Sequence, residues 1–270
     1  DVFQRFEAFL ATSFPNVHRT LNPESIGDPG LLYTWNGSDA SAAPIILTAH
    51  YDVVPADTPE AWTHPPFAGE VTGDVSAETE GGADGGTIWG RGAMDDKASL
   101  MAILEAAERM IQAEFVPQRT VYFAFGGDEE VTGQRGAGRI AAELAARGVS
   151  AACLVDEGTA VVENTVKLVK QPIALIGTAE KGYVDLKISV RGADGHASMP
   201  HRRTTIGRLA HALRRIERRP FPARMIPSVR EFLTAIADAA PPAYRPILKR
   251  PRLFGPILKW ILARDPKTDA

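Results

Sequence analysis

Three apolar runs in this chain are each followed within three residues by an acidic side chain, and helical patterns separate each run from the next. The runs cover residues 44–49, 120–125 and 151–155. Buried strands that alternate with helices favour a parallel sheet with right-handed crossovers, in which binding sites form beyond the carboxyl ends of the strands. We therefore predict an α/β fold, with a mostly parallel sheet flanked by helices and a site at that edge.

A glycine-rich turn at residues 89–97, Trp-Gly-Arg-Gly-Ala-Met-Asp-Asp-Lys, adds a further acidic position. Gly90 and Gly92 allow backbone angles that a side chain forbids, so that Asp95 can lie where a strand gives way to a helix and point into a cleft. Apolar residues at helical spacing from Leu100 to Ile111 predict the helix that follows. A helix is also predicted over residues 1–13, with a polar loop rich in proline and glycine after it.

Carboxylates that meet at one edge of a sheet repel one another, and a buried carboxylate without a partner is costly. A shared cation removes this conflict. Carboxylate oxygens together with an imidazole suit zinc, with cobalt or manganese as alternatives, and a bridging carboxylate suggests two ions about 3.5 to 4 Å apart. Taken singly, each residue is better explained by a structural role: His50 as a hydrogen-bonded core histidine, Asp156 as a helix cap, and Glu129-Glu130 as part of an exposed first turn. Taken together, they favour a metal site.

The order and spacing of four motifs resemble those of a known enzyme family. The motifs are His50-x-Asp52, the turn at 90–97, Asp128-Glu129-Glu130 and Asp156-Glu157-Gly158. Together they resemble the di-zinc metallopeptidases that include glutamate carboxypeptidase, aminoacylase, carnosinase and succinyl-diaminopimelate desuccinylase. The segment Trp-x-His-Pro-Pro-Phe-x-Gly at 62–69 is similar to the Gly-X carboxypeptidase and N-acyl-amino-acid hydrolase branch. The resemblance implies a zinc-peptidase catalytic domain with an inserted α+β lid domain.

The resemblance also implies a set of metal ligands for two Zn²⁺ ions. His50 is expected to bind the first ion and Glu130 the second, with Asp95 bridging both. Asp156 is expected to bind the first ion as well, with Glu157 as the alternative, because the family varies in which acidic residue serves at that strand end.

Catalytic roles follow from the same resemblance. Asp52 is expected to hydrogen-bond the imidazole of His50 and fix its tautomer. Glu129 is expected to be the general base, taking a proton from the water between the ions and passing it to the leaving amine. A cis peptide is expected between Asp95 and Asp96. His196, in the loop at 192–200, is expected to stabilise the oxyanion of the substrate carbonyl.

The character of the chain changes beyond residue 170. Apolar and polar residues alternate from Thr178 to Arg191, which predicts a half-buried strand of a second domain. We predict a catalytic zinc-binding domain at 1–175 and a lid or dimerisation domain at 176–270, through which a homodimer can form. Residues 220–270 contain no counterpart of the family's last ligand, a histidine. We expect a chain that lacks the C-terminal part, holds its second ion weakly and hydrolyses little.

A helix predicted over residues 204–219 is crowded by arginines. We interpret its basic side as a solvated face; the alternative is that one arginine holds the free carboxylate of an N-acyl amino acid by a bidentate contact. Residues 227–265 predict further short helices broken by prolines, with an apolar cluster near the end that could be lid core, an interface or a membrane-facing patch.

Composition excludes several classes of protein. With 44% hydrophobic residues and a net charge of −3, the chain is typical of a soluble globular protein and not of a nucleic-acid-binding one. No apolar run is long enough to span a membrane, and the compartment is not resolved. The single cysteine, Cys153, can form no internal disulfide and is expected to be buried in the core.

We predict that the protein is a zinc-dependent hydrolase. Its substrate is expected to be a dipeptide or an N-acyl amino acid, cleaved at the amide bond next to a free carboxylate, in the manner of a carboxypeptidase or aminoacylase. The alternatives are a deacetylase, a desuccinylase or an aminopeptidase of the same fold, and a catalytically silent metal-binding domain.

Overall fold

The structure, a computed structural model, describes residues 2–73, 86–158, 160–164, 166, 169–179, 182, 184–192, 198, 204–222 and 224–262. The chain divides into two compact units, Asp1–Glu157 and Gly158–Ala270. Among the residues described, every helix is too short or too polar to traverse a bilayer.

A five-stranded mixed sheet forms the centre of the first unit. Its strands are β1 (Glu24–Ser25), β2 (Gly30–Trp35), β3 (Ile45–His50), β6 (Val121–Gly126) and β7 (Cys153–Val155), and they lie in the order β1-β2-β6-β3-β7. The three predicted apolar runs are β3, β6 and β7, and β3 runs parallel to both of the others. The α/β prediction is thus confirmed. The strands β4 (Glu70–Thr72) and β5 (Thr87–Trp89) form a separate antiparallel pair.

The sheet is less parallel than the sequence predicted, because β1 and β2 join it in antiparallel orientation. Both strands lie in the segment interpreted as a polar loop. That interpretation was wrong for β2, whose Leu31, Leu32 and Tyr33 are buried because helices cover both faces of the strand.

Helices cover the two faces of this sheet. Leu10, Val17 and Leu104 pack with Tyr33 and the phenylalanines of β6 on one face. Ile140 and Leu144 pack with Leu32 and Ala124 on the other. The helices are α1 (Val2–Ser13), α2 (Pro15–Leu21), α3 (Lys97–Gln112) and α4 (Ala137–Ala146). The predicted helices at 1–13 and after Asp95 correspond to α1 and α3.

The register of the sheet brings the site segments to the same level. His50, the last residue of β3, pairs with Gly126, the last residue of β6. The next backbone N–H, that of Tyr51, still donates to the carbonyl of Gly126 at 3.0 Å. The acidic residues that follow the two strands therefore leave the sheet at one edge, as parallel strands require.

The second unit is mainly helical. It contains the antiparallel pair β8 (Ala160–Val162) and β9 (Ile173–Leu175), followed by α5 (Thr205–Glu217), α6 (Pro227–Ala235), α7 (Arg245–Leu248) and α8 (Gly255–Leu262). These helices agree with the sequence patterns. The unit begins earlier than the predicted boundary at 175/176, because Val166, Val169 and Ile173 pack with the apolar cluster around Leu233 and Leu248. The division into a catalytic and a lid domain stays a prediction.

Two sequence expectations were wrong. Among the described residues from 178 to 191 there is no strand, and Val184 and Leu186 are each 67% exposed. The reason is that alternation favours a strand only where a neighbouring strand can pair with it, and none does so in the described part of this segment. Cys153 is exposed and not buried, since β7 is an edge strand whose Leu154 and Val155 are also exposed.

Candidate metal centre

One nitrogen of a buried histidine faces carboxylates from three separate segments. His50 is only 3% exposed. Its Nε2 lies 2.9 Å from Oδ1 of Asp95, 3.6 Å from Oε2 of Glu157 and 3.9 Å from Oε2 of Glu129. The parallel strand ends and the glycine-rich turn thus deliver their acidic side chains to a single point, which is the convergence that the sequence predicts.

Two overlapping groups of side chains in this cluster could hold a metal ion. One group is His50, Asp95 and Glu157, and the other is His50, Glu129 and Glu130. Within each group, one ligand atom per residue lies within 4.8 Å of the others. Imidazole nitrogen and carboxylate oxygen are donors that zinc and related divalent cations accept, so the side chains fit such an ion.

The predicted ligand Asp156 does not belong to either group, whereas Glu157 belongs to the first. Oδ1 of Asp156 accepts the backbone N–H of Glu157 at 2.9 Å, and Asp156 is exposed. Neighbouring residues after a strand point in different directions, so only one member of this pair can reach His50. The geometry therefore favours the alternative ligand, Glu157, which the sequence analysis had left open.

Asp52 ties the imidazole to the loop that carries the two glutamates. Its Oδ1 lies 3.2 Å from Nδ1 of His50, at ion-pair distance but without hydrogen-bond geometry. The same carboxylate accepts the backbone N–H of Glu129 at 3.1 Å and of Glu130 at 3.0 Å. This side chain thereby fixes the position of both glutamates relative to His50. Its predicted hydrogen bond to the imidazole, which would fix the tautomer, stays a prediction.

The loop after β6 is held by a buried aspartate whose role the sequence analysis missed. Asp128 accepts the backbone N–H of Arg135 at 2.7 Å and of Gly136 at 2.8 Å. Glu129 and Glu130 lie in the single 3₁₀ turn that begins immediately afterwards, Glu129–Val131. An acidic residue directly after a strand and before a turn is a typical signal of such a backbone anchor.

The glycine-rich turn packs closely beneath Asp95. Gly92 has φ +78°, and a Cβ there would lie 2.2 Å from Cγ1 of Val53, so no side chain fits. The peptide between Asp95 and Asp96 is cis, as the resemblance predicted. Asp96 is buried, and its Oδ2 accepts the backbone N–H of His50 at 3.4 Å. Asp96 is a second anchor that the sequence analysis did not identify.

The branch-specific segment at 62–69 packs against this turn. The carbonyl of Pro66 accepts the backbone N–H of Arg91 at 2.7 Å, and the guanidinium of Arg91 lies 4.8 Å from the ring centre of Trp62. The ring of His64 lies 4.4 Å from that of Trp89. These contacts support the turn that presents Asp95. His64 therefore has a structural role.

The electrostatics of the cluster favour a bound cation. Burial raises the pKa of Glu157 to about 7, and the charges of Asp95, Asp96 and Glu129 add to this effect while His50 opposes it. Burial also raises the pKa of Glu129. Burial disfavours the charged form of His50, but the hydrogen bond with Asp95 and the nearby carboxylates outweigh it and raise its pKa. Crowded carboxylates of this kind are stabilised by protons or by a metal ion.

His196, the predicted oxyanion-stabilising residue, lies outside the described residues. Of the other predicted site residues, the structure brings together His50, Asp52, Asp95, Glu129 and Glu130.

Comparison with known proteins identifies the family to which this chain belongs. The model of peptidase family M20/M25/M40 matches residues 46–247. The chain belongs to this family. The M20 family is metal-dependent, and in this M20 chain candidate metal-binding residues lie around His50, Asp95 and Glu157.

Curated relatives of this M20 chain are similar over most of its length. A probable carboxypeptidase S-like 2 of Dictyostelium discoideum is 38% identical over 270 residues, which is 99% of this chain and 50% of the relative. The N-fatty-acyl-amino acid synthase/hydrolase PM20D1 of Homo sapiens is 38% identical over 268 residues, 98% of this chain and 51% of the relative. The chain spans about half the length of these relatives.

Solved structures also resemble this M20 chain. The M20 family metallo-carboxypeptidase Sso-CP2 from Sulfolobus solfataricus is 21% identical with a TM-score of 0.42, covering 57% of this chain and 33% of that one. Human carnosine dipeptidase 1 is 21% identical with a TM-score of 0.40 and the same two coverages.

Proposed function

We propose that this M20 chain provides the metal centre of a zinc-dependent hydrolase that cleaves the amide bond of a dipeptide or an N-acyl amino acid with a free carboxylate. The observation that carries the proposal is the convergence of Asp95, Glu129 and Glu157 on the buried Nε2 of His50. The names of the relatives, a carboxypeptidase S-like protein and an N-fatty-acyl-amino acid synthase/hydrolase, support an amide bond next to an amino-acid carboxylate.

His50, Asp95 and Glu157 would hold one divalent cation, and Glu130 would contribute to a second. Zinc suits this set of oxygen and nitrogen donors, with cobalt or manganese as alternatives. When bound, such ions polarise the scissile carbonyl and make a water molecule acidic enough to attack it.

Glu129 is the side chain best placed to move protons. Its carboxylate is about half exposed and lies 3.9 Å from Nε2 of His50, while its backbone is fixed by Asp52. Burial raises its pKa, which brings its proton affinity closer to that of a general base working near neutral pH. Glu129 would take the proton of the attacking water and deliver it to the leaving amine. His196 would stabilise the oxyanion.

Substitution of Glu129 tests this proposal. Glu129→Gln should lower hydrolysis by about a hundredfold to ten-thousandfold, because the amide cannot accept the proton, yet zinc binding by calorimetry should persist. Glu105→Gln, an exposed glutamate of α3 paired with Arg109, is the matched control and should leave both unchanged.

Parallel assays of Gly-X dipeptides, N-acyl amino acids, N-acetyl and N-succinyl substrates and aminopeptidase substrates would identify the substrate class. Zinc binding without turnover of any of these, equal in the wild type and in Glu129→Gln, would refute the hydrolase and support the catalytically silent metal-binding domain.

A further inference from the structure

A groove in the second unit lies between α6 and the segment from Lys249 to Lys259. It contains two adjoining cavities of about 880 and 400 Å³, which share Arg230, Pro251 and Arg252 in their walls. The larger volume lies within the range of about 300 to 1,000 Å³ that small-molecule sites occupy. None of the lining residues belongs to the candidate metal centre.

The charge of this groove is opposite to that of the chain. The whole chain carries a net charge of −3, yet residues 224–262 contain seven basic and two acidic side chains. The basic residues that line the cavities are Arg224, Arg230, Lys249, Arg250, Arg252 and Lys259, and Glu231 is the acidic one among the described lining. Like charges gathered in a groove create a positive potential that attracts anions.

Several of these cations are available to a ligand. Lys249 is engaged, because its Nζ lies 2.6 Å from Oδ1 of Asp238, and Arg230 donates to the carbonyl of Met225. In the described part of the chain, no hydrogen bond or ion pair holds the side chains of Arg250 and Arg252, and both are exposed. A guanidinium group binds carboxylate or phosphate by charge-assisted hydrogen bonds.

Apart from Glu231 and Thr234, the rest of the wall carries no polar side chain, and the helices that form it are held by a buried cluster. Met225, Pro227, Pro251 and Leu253 line the cavities. The helices behind them are fixed by the cluster that contains Leu233, Leu248 and Leu258. A ligand that matches this wall carries an anionic head for the arginines and an apolar body for the remaining surface.

We propose that the groove between α6 and residues 249–259 is a binding site for an amphiphilic anion, a carboxylate or phosphate head on an alkyl chain. This inference is independent of the proposed hydrolase activity, because it depends on none of the residues at the metal centre.

Calorimetry on the whole chain, with a chelator present so that no metal can bind the probe, tests the site. The probes are decanoate and decyl phosphate, with acetate, inorganic phosphate and decanol as partial ligands. Decanoate or decyl phosphate should bind saturably with one molecule per chain, and the tighter of the two identifies the preferred head. The three partial ligands should bind at least about tenfold more weakly, because each lacks the charge or the apolar body.

Two double substitutions test whether ligand binding depends on the arginines of the groove or only on the positive charge of the second unit. Arg250→Ala with Arg252→Ala should weaken decanoate or decyl phosphate binding at least about tenfold. Arg214→Ala with Arg215→Ala removes the same charge from exposed positions of α5 and should leave binding unchanged. Circular dichroism checks that both variants fold. Equal loss in the two variants, decanol binding as tight as that of the anions, or binding by inorganic phosphate alone would overturn the proposal.

Discussion

Two carboxylate environments in the first unit, at Glu108 and around His50, are opposite in chemistry. Glu108, on α3, is 7% exposed, and its oxygens accept the backbone N–H groups of Asn16 at 3.1 Å and Val17 at 2.9 Å. At His50, by contrast, carboxylates face one another and the imidazole. The fold satisfies Glu108 with its own donors at the start of α2, whereas it leaves the charge at His50 for a cation to balance.

The difference appears in the pKa values. Burial tends to raise the pKa of Glu108, but the donors of Val17 and Asn16 outweigh it and hold that pKa below its usual value. Burial and neighbouring carboxylates raise the pKa of Glu157 to about 7. A carboxylate whose pKa is lowered by backbone donors has a structural role, whereas one whose pKa is raised beside other acids indicates a functional site.

The largest expected effect is on metal binding. His50→Ala should weaken zinc affinity at least about a hundredfold, because His50 belongs to both candidate ligand groups. His18→Ala is the control, since His18 bonds to Tyr33 at 3.1 Å and to the carbonyl of Phe14, away from the acidic cluster. Calorimetric titration with zinc measures both. Equal zinc affinities in His50→Ala and His18→Ala would show that the acidic cluster around His50 is not the metal site.

The next largest effect distinguishes Glu157 from its neighbour Asp156 as a metal ligand. Glu157→Gln should weaken zinc binding at least about tenfold, because it removes an oxygen that faces His50. Asp156→Asn changes the same charge one residue earlier and should have little effect, since its carboxylate bonds to the backbone and is exposed. Calorimetry under identical buffer conditions decides between them, and a larger loss in Asp156→Asn would restore the original ligand assignment.

The central strands of the sheet and the convergence of acidic residues on His50 could both be predicted from the sequence. β3 and β6 are continuous apolar runs in the centre of the sheet, where burial on both faces leaves a strong signal. The convergence on His50 follows from parallel strands ending together. The choice of Glu157 over Asp156 depends on the path of the chain after β7, which neighbouring residues of equal charge do not encode.

Other features required the three-dimensional structure. The anchoring role of Asp96 depends on a backbone N–H 46 positions earlier in the sequence, and that of Glu108 on the start of α2. No local pattern connects such distant positions. The alternation at 184–190 is a clear local signal, yet the described residues there form no strand. A strand also needs a neighbouring segment to pair with, and a local pattern does not reveal whether one is present.

A smaller effect concerns stability alone. Glu108→Gln should lower the free energy of unfolding by about 1–3 kcal/mol, because the amide nitrogen replaces one of the two oxygens that accept from Asn16 and Val17 and so places a donor against a donor. Zinc affinity should stay at the wild-type value. Urea unfolding gives the first quantity and calorimetry the second. Glu105→Gln, on the exposed side of the same helix, should cost about half a kcal/mol or less. A loss of zinc affinity in Glu108→Gln would show that the two environments are coupled.

The smallest expected effect is the pH dependence of the unfolding free energy that Glu108→Gln removes. Because the folded-state pKa of Glu108 lies below its usual value of 4.5, the unfolded chain takes up a proton at higher pH than the folded one. The stabilisation by Glu108 is therefore fully present above the unfolded pKa and is lost as the pH falls through the folded pKa. The stability gap between the wild type and Glu108→Gln should narrow as urea unfolding is repeated from about pH 7 down to about pH 3.5. Other carboxylates titrate in both proteins and cancel in the difference. A constant gap would mean that the donors around Glu108 do not favour its charged form, and would contradict the contrast with Glu157.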